Sequence, residues 1–182
     1  MPQTQNIRIN IGLFLIEKII CKINALKKKN WIHVDPHIMN ICFDIKFNVV
    51  LIDFGNSIKK GDLITFENSI FCEYLCNSTY AELYEDDGTP KYDTLDSTKS
   101  VCYYKKIIKK EILKLKENIY FTLADYYQMY ILLESFLGEF MENFLEEEER
   151  KKYFEKYYTI MENSDKRLAN FTVKLADNIF KK

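Results

Sequence analysis

The reading turns on Trp31-Ile32-His33-Val34-Asp35-Pro36-His37-Ile38-Met39-Asn40, followed after one short apolar run by Val49-Val50-Leu51-Ile52-Asp53-Phe54-Gly55. His33, Asp35, His37 and Asn40 crowd into a loop interrupted by Pro36, which excludes a helix there. Ile41-Cys42-Phe43 and Val49 to Ile52 are short apolar runs separated by Asp44 to Asn48, so a small β-hairpin is expected. Such a hairpin returns its second strand beside its first. Asn40 and Asp53 then sit at the same open end, with Asp35 in the loop beside them. Gly55 frees the backbone just past Asp53.

Working outward, residues 6–29 read as a helix. Its apolar residues Ile9, Leu13, Ile16, Ile20, Ile23 and Leu26 keep a 3.6-residue period, and Lys27 to Lys29 suit the negative end of its dipole. Residues 56–100 are mixed and polar, carry turn signals at Gly61, Asp86-Asp87-Gly88 and Pro90, and read as a long, partly irregular segment. A basic helix is expected over 102–117. A strongly apolar one is expected over 122–138, with Leu123, Tyr126, Tyr127, Tyr130, Ile131, Leu133 and Leu137 nearly all round it. A charged amphipathic helix over 139–158 and a last helix over 164–181 complete a mainly α chain with one small hairpin.

Composition narrows the classes. The chain has 182 residues, one domain's worth, and 47% of them are hydrophobic, so a sizeable core is possible. With 26 basic and 27 acidic residues there is no general pull toward nucleic acid or an anionic membrane. The most apolar N-terminal run, Ile11 to Ile23, is broken by Glu17, Lys18 and Lys22 and is too short and charged for a membrane span. The five cysteines are an odd count outside any small disulfide scaffold, which points to reduced thiols and an intracellular, cytoplasmic setting.

Phosphoryl transfer from ATP needs oxygens that hold Mg²⁺ on the phosphates, a carboxylate that orients the acceptor hydroxyl, and a rigid backbone beneath both. The string His33-x-Asp35 with Asn40 five residues on, then Asp53-Phe54-Gly55, resembles the catalytic loop and metal motif of the protein kinases. Six residue types at fixed spacing arise by chance on the order of once in 10⁵ chains of this length. The resemblance covers residues 6–140 in order and 141–182 by general helical character. It implies a single kinase-like C-terminal lobe: a helix at 6–29, the catalytic loop and metal motif at 31–55, an activation-like segment at 56–121 and a helical subdomain at 122–182.

By that resemblance Asp35 is the catalytic base, and Asn40 and Asp53 ligate Mg²⁺ on ATP. Cys42 lies under the adenine, and His33 and Phe54 stack beside the metal motif. Asp125, taken as the start of the buried helix, ties that helix to the catalytic-loop backbone. The pattern Asp35-x-His37-x-x-Asn40 is similar to that of divergent kinases, haspin-like and some viral ones, and to small-molecule kinases. In it His37 stands ready to donate to a phosphate oxygen.

The departures are as informative. Val34 stands where the family carries an Arg, which argues against control by phosphorylation of the activation segment. The five glycines, Gly12, Gly55, Gly61, Gly88 and Gly138, never cluster into a phosphate loop, and no small-lobe sheet precedes the first helix. The expectation is therefore a lobe whose N-terminal companion is absent. It acts on a protein substrate, or with a partner that supplies or replaces the small lobe, and not on nucleic acid or membrane. The competing expectations are a pseudokinase or decoy that only binds a partner, and a small-molecule kinase.

Overall fold

A 26-residue helix, α1 (Gln3–Lys28), opens the chain in the structure, a computed structural model that describes residues 3–62 and 66–181. Positions 63–65 of the expected irregular segment lie outside the described residues. The buried stripe of α1 runs Ile9, Gly12, Ile16, Ile19 and Ile23, so Ile19 holds the core position and Ile20 and Leu13 lie at its edge. Gly12 is there for close approach. A Cβ at that position would lie 3.1 Å from the Met141 side chain and from Phe154 Cζ. Asn30, at φ 62°, ends the helix, with Lys29 N and Asn30 N donating back to Leu26 O and Lys27 O.

Two small antiparallel sheets follow. Strand β1 (Trp31–Ile32) pairs with β4 (Ile58–Lys59), in the register Trp31↔Lys59 and Ile32↔Ile58. Strands β2 (Ile41–Phe43) and β3 (Val49–Leu51) form the expected hairpin, with Ile41↔Leu51, Cys42↔Val50 and Phe43↔Val49 opposed. Asp44 closes its turn: one carboxylate oxygen accepts from Lys46 N and Asn48 N at 2.8 Å each, the other from Asn48 Nδ2 at 2.9 Å. The first sheet was not expected, because two-residue strands carry no period.

The remaining helices are α2 (Ile70–Ala81), α3 (Val101–Ile112), α4 (Glu117–Glu134), α5 (Glu147–Tyr153) and α6 (Glu155–Phe180). Ser69 caps α2 through Cys72 N at 3.1 Å, and Ser100 caps α3 through Tyr103 N at 3.2 Å. The segment expected to be partly irregular over 56–100 thus contains a helix, whose apolar face (Phe71, Cys72, Leu75, Cys76) is buried. The expected basic helix stops at Ile112. The apolar helix begins at Glu117, five residues before its expected start, and passes at Ser135 into a wider π-helical turn that runs to Phe140. The single amphipathic helix expected over 139–158 is interrupted twice, by the non-helical residues 143–146 and again at Phe154, and the last helix starts at Glu155 rather than 164.

Two apolar cores result. One gathers α2, α3, α6 and the first half of α4 around Phe71, Leu75, Ile108, Tyr120 and Leu168. The other gathers α1, the hairpin and the end of α4 around Ile16, Ile23, Leu51, Leu133, Phe136 and Phe154. The segment 31–40 lies where they meet, with Ile32, His33 and Val34 all fully buried. No described helix is long and apolar enough to cross a membrane.

Candidate functional site

Pairing between β2 and β3 extends one step past the strands, because Ile52 N donates to Asn40 O at 3.0 Å. Asn40 and Ile52 are thus opposed at the open end of the hairpin, and Asp53 is the next residue out. On the other side, Asn40 Nδ2 donates to the backbone carbonyl of Asp35 at 3.0 Å. Loop and hairpin therefore meet at Asn40, which is buried and closes the turn Ile38–Asn40. Ile38 N is held in turn by Ser135 Oγ at 2.9 Å, from the π-helical turn after α4.

His33 binds the loop to the segment Ile52–Ser57. Its Nε2 donates to Ile52 O at 2.8 Å, its ring lies 4.7 Å from that of Phe54 at a 54° tilt, and its carbonyl accepts from Ser57 Oγ at 3.3 Å. The Nδ1 atom is buried without a partner. Burial of the ring pushes the His33 pKa below its ordinary value, outweighing the Ile52 hydrogen bond and the charges of Asp35 and Asp53, which act the other way. Both carboxylates are thus close enough for their fields to reach one ring. Burial first, and then the Asp35 charge, raises the Tyr127 phenol to about 12.

The backbone is strained at two of these positions. Val34 has φ 75° and Asp53 has φ 56°. A β-branched residue in the left-handed region is a genuine outlier, and each such residue costs about 1–3 kcal/mol. Val34 turns the chain so that its own side chain enters the core while the next residue, Asp35, remains part-exposed. At Asp53 the left-handed turn lets Oδ1 accept from Gly55 N at 3.2 Å. The Cβ that a residue at 55 would carry lies 3.2 Å from that same oxygen, so glycine suits the position.

Asp125 does not begin α4. It lies in the third turn of the helix and is neither its start nor its N-cap, because the 3.6 period continues backward through Tyr120 and Phe121 to Glu117. Its carboxylate pairs with Lys27 at the end of α1 and accepts from Gln128 Nε2 at 2.9 Å. Gln128, not Asp125, reaches the loop 31–40: its Oε1 accepts from His33 N at 3.3 Å. Gln128 was missed in the sequence. Its signal is a long polar side chain on an otherwise apolar, buried helix face, which has to find a partner there. Ser135 and Ser57 carry no such signal.

Cys42 is exposed on the hairpin face opposite Val50, with Ile52 and Phe54 also exposed. A cavity of about 230 Å³ lies between α1 and β3 and reaches the motif at Phe54; Lys22, Leu26 and Val50 also line it.

Among the described residues no three His, Cys, Asp or Glu side chains gather into a metal-binding group. Magnesium needs less, since one or two side-chain oxygens and the substrate phosphates hold it. The donors fit such an ion. Asn40 spends its Nδ2 inward and keeps Oδ1, and Asp53 spends Oδ1 on Gly55 N and keeps Oδ2. No family model, curated protein or solved structure matches this chain.

Proposed function

We propose that these residues form the metal-holding face of an ATP- and magnesium-dependent phosphotransferase whose acceptor is a serine or threonine hydroxyl of a protein. The observation that carries the reading is the double attachment of Asn40, to the carbonyl of Asp35 and to Ile52, the residue before Asp53. It holds the backbone that carries Asp35 and the backbone that leads into Asp53 to Asn40, at one end of one hairpin. Strained backbone at Val34 and Asp53 adds support, because such strain persists where surrounding structure enforces it for a purpose.

In this reading Asp35 accepts the proton of the acceptor hydroxyl as its oxygen bonds to the γ-phosphorus. The bond from that phosphorus to the bridging oxygen breaks, and ADP leaves with the electron pair. Asn40 Oδ1 and Asp53 Oδ2 would hold Mg²⁺, which would supply positive charge to the phosphate oxygens. His33, through Ile52 O and the Phe54 ring, holds the backbone on both sides of Asp53. The residues 1–182 contain no clustered glycines to cover the nucleotide, so that cover comes from a further segment or a partner.

The test is equilibrium binding of ATP with and without Mg²⁺, followed through Trp31 fluorescence and by calorimetry, alongside phosphate transfer to a mixed protein substrate. Asp53→Asn should remove the magnesium-dependent part of binding. Asp35→Asn should leave binding intact and lower transfer by about 10²-fold or more. Magnesium-dependent binding that survives Asp53→Asn would end the assignment.

A second reading is favoured by the exposed apolar strip Val50, Ile52 and Phe54, and by Ile45 and Phe47 at the hairpin tip, 97% and 66% exposed. There the lobe holds a partner and transfers nothing. Absence of any nucleotide binding, together with a partner lost on Val50→Asp, would establish it over the first.

A further inference from the structure

We infer that His37 is a positioning residue that holds the Asn40 amide with its nitrogen inward and its oxygen free. The geometry stands by itself, and its purpose rests on the metal-ligand reading of Asn40 given above. Asn40 Nδ2 lies 3.0 Å from Asp35 O and also 3.0 Å from His37 Nε2. A backbone carbonyl only accepts, so the amide atom facing it is the nitrogen. Turning the amide over would set two oxygens against each other at the same distance. The second hydrogen of that nitrogen then points at His37 Nε2, which must offer a lone pair.

A neutral imidazole has one lone-pair nitrogen and one N–H. With Nε2 accepting, the proton is on Nδ1. Met39 N, 3.3 Å from Nδ1 with its hydrogen directed at the ring, competes for the same imidazole; a neutral ring cannot accept at both nitrogens, and the shorter contact, to Asn40, decides the tautomer. Asp35 Oδ2 lies 3.8 Å from Nε2, beyond hydrogen-bond reach, so the ring serves Asn40 rather than the carboxylate. With Nε2 committed in this way, the phosphate donation that the sequence pattern suggested would fall to Nδ1–H. Both amide hydrogens of Asn40 are used by its own loop, and Oδ1 is the one atom of the side-chain amide left over. His37 and the Asp35 carbonyl act as two jaws that fix which end of the amide faces outward.

The two histidines should then be in opposite tautomers. His33 donates from Nε2 to Ile52 O, whereas His37 carries its proton on Nδ1. Long-range ¹⁵N–¹H correlation of the full ¹⁵N-labelled chain at about pH 8.5, where an ordinary imidazole is neutral, reads this directly. The chain has only two histidines, so His37→Gln assigns the signals. His37 in the Nε2–H form would overturn the inference, whatever the chain catalyses.

The second arm is a Mg²⁺ titration in the presence of ATP, with thermal melts as the control for folding. His37→Leu should raise the half-saturating Mg²⁺ concentration about tenfold or more, in line with lost support behind a metal ligand. His37→Gln, whose Oε1 can accept where Nε2 did, should recover most of that loss. If Asp53→Asn weakens Mg²⁺ binding and His37→Leu does not, the positioning role fails and the metal reading stands. If neither variant alters Mg²⁺ binding, the metal reading fails, and the tautomer alone decides how His37 holds the amide.

Discussion

At the scale of single residues, this chain concentrates its conflicts where its chemistry is proposed. A valine in a left-handed turn, an aspartate in another and a fully buried histidine lie within 21 residues of one another, from His33 to Asp53. Each costs stability, and a charge on the histidine would cost more. Because burial lowers the His33 pKa, the unfolded chain takes up this proton near pH 6.5 while the folded chain resists it until lower pH. The unfolded state therefore binds more protons in that window. The stabilising contribution is fully present above about pH 6.5 and fades as pH falls below it. The urea midpoint of the wild-type chain should drop between about pH 7.5 and 5.5, and His33→Gln should lose part of that drop. An equal drop in both proteins would count against a buried neutral imidazole. Histidine, aspartate and asparagine were legible in the sequence as a set, because their types and spacing survive without a structure. The left-handed turn at Val34 was not, since valine is among the residues least suited to it.

At the scale of elements, α4 does two jobs. Its middle carries Asp125 and Gln128, which brace the loop at His33, and its end widens into the π-helical turn whose Ser135 Oγ holds Ile38 N. A π turn leaves carbonyls poorly satisfied, and Arg150 answers that need. Its guanidinium reaches back from α5, and one nitrogen donates to Leu137 O at 2.9 Å and Gly138 O at 3.1 Å. Arg150 is buried, although it follows directly on the acidic run Glu146 to Glu149. Arg150→Ala should destabilise the fold by about 2–3 kcal/mol by stranding those carbonyls, measured by denaturant unfolding. Arg150→Lys should recover part of the loss, because a single nitrogen makes both bonds and an ammonium can donate to both carbonyls. Full stability in Arg150→Ala would mean water replaces the guanidinium. The hairpin was legible because two apolar runs flank a turn. The break at Phe154 was not, because Phe154 is held fully buried in the core that contains α1 and no local signal stops the helix there.

At the scale of the whole molecule, the two cores are not independent. The first half of α4 lies in one and its end in the other, so neither can melt without exposing part of the same helix. Thermal unfolding followed by Trp31 fluorescence and by far-ultraviolet circular dichroism should therefore coincide in one transition. Separated midpoints would show that the cores unfold apart. The thiols report the same architecture. Cys21, Cys42 and Cys102 are exposed, while Cys72 and Cys76 are buried on α2. Burial raises the pKa of both buried thiols, that of Cys72 to about 11. A thiol-specific reagent at neutral pH should modify three cysteines quickly in the folded chain and all five in denaturant. Rapid reaction of a fourth in the folded chain would mean α2 is not packed as described.

What the sequence determined by itself was local or patterned. The long first helix, the hairpin, the apolar helix and the set His33, Asp35, Asn40 and Asp53 follow from periodicity and from residue types at fixed intervals. Only the tertiary structure decided which groups support that set. Gln128 rather than Asp125 meets the loop, His37 meets Asn40, Ser135 meets Ile38, and Arg150 caps a turn more than ten residues before it. Such pairings are made by side chains arriving from separate elements. Their energy comes from burying polar atoms together, and no window of neighbouring residues contains that energy.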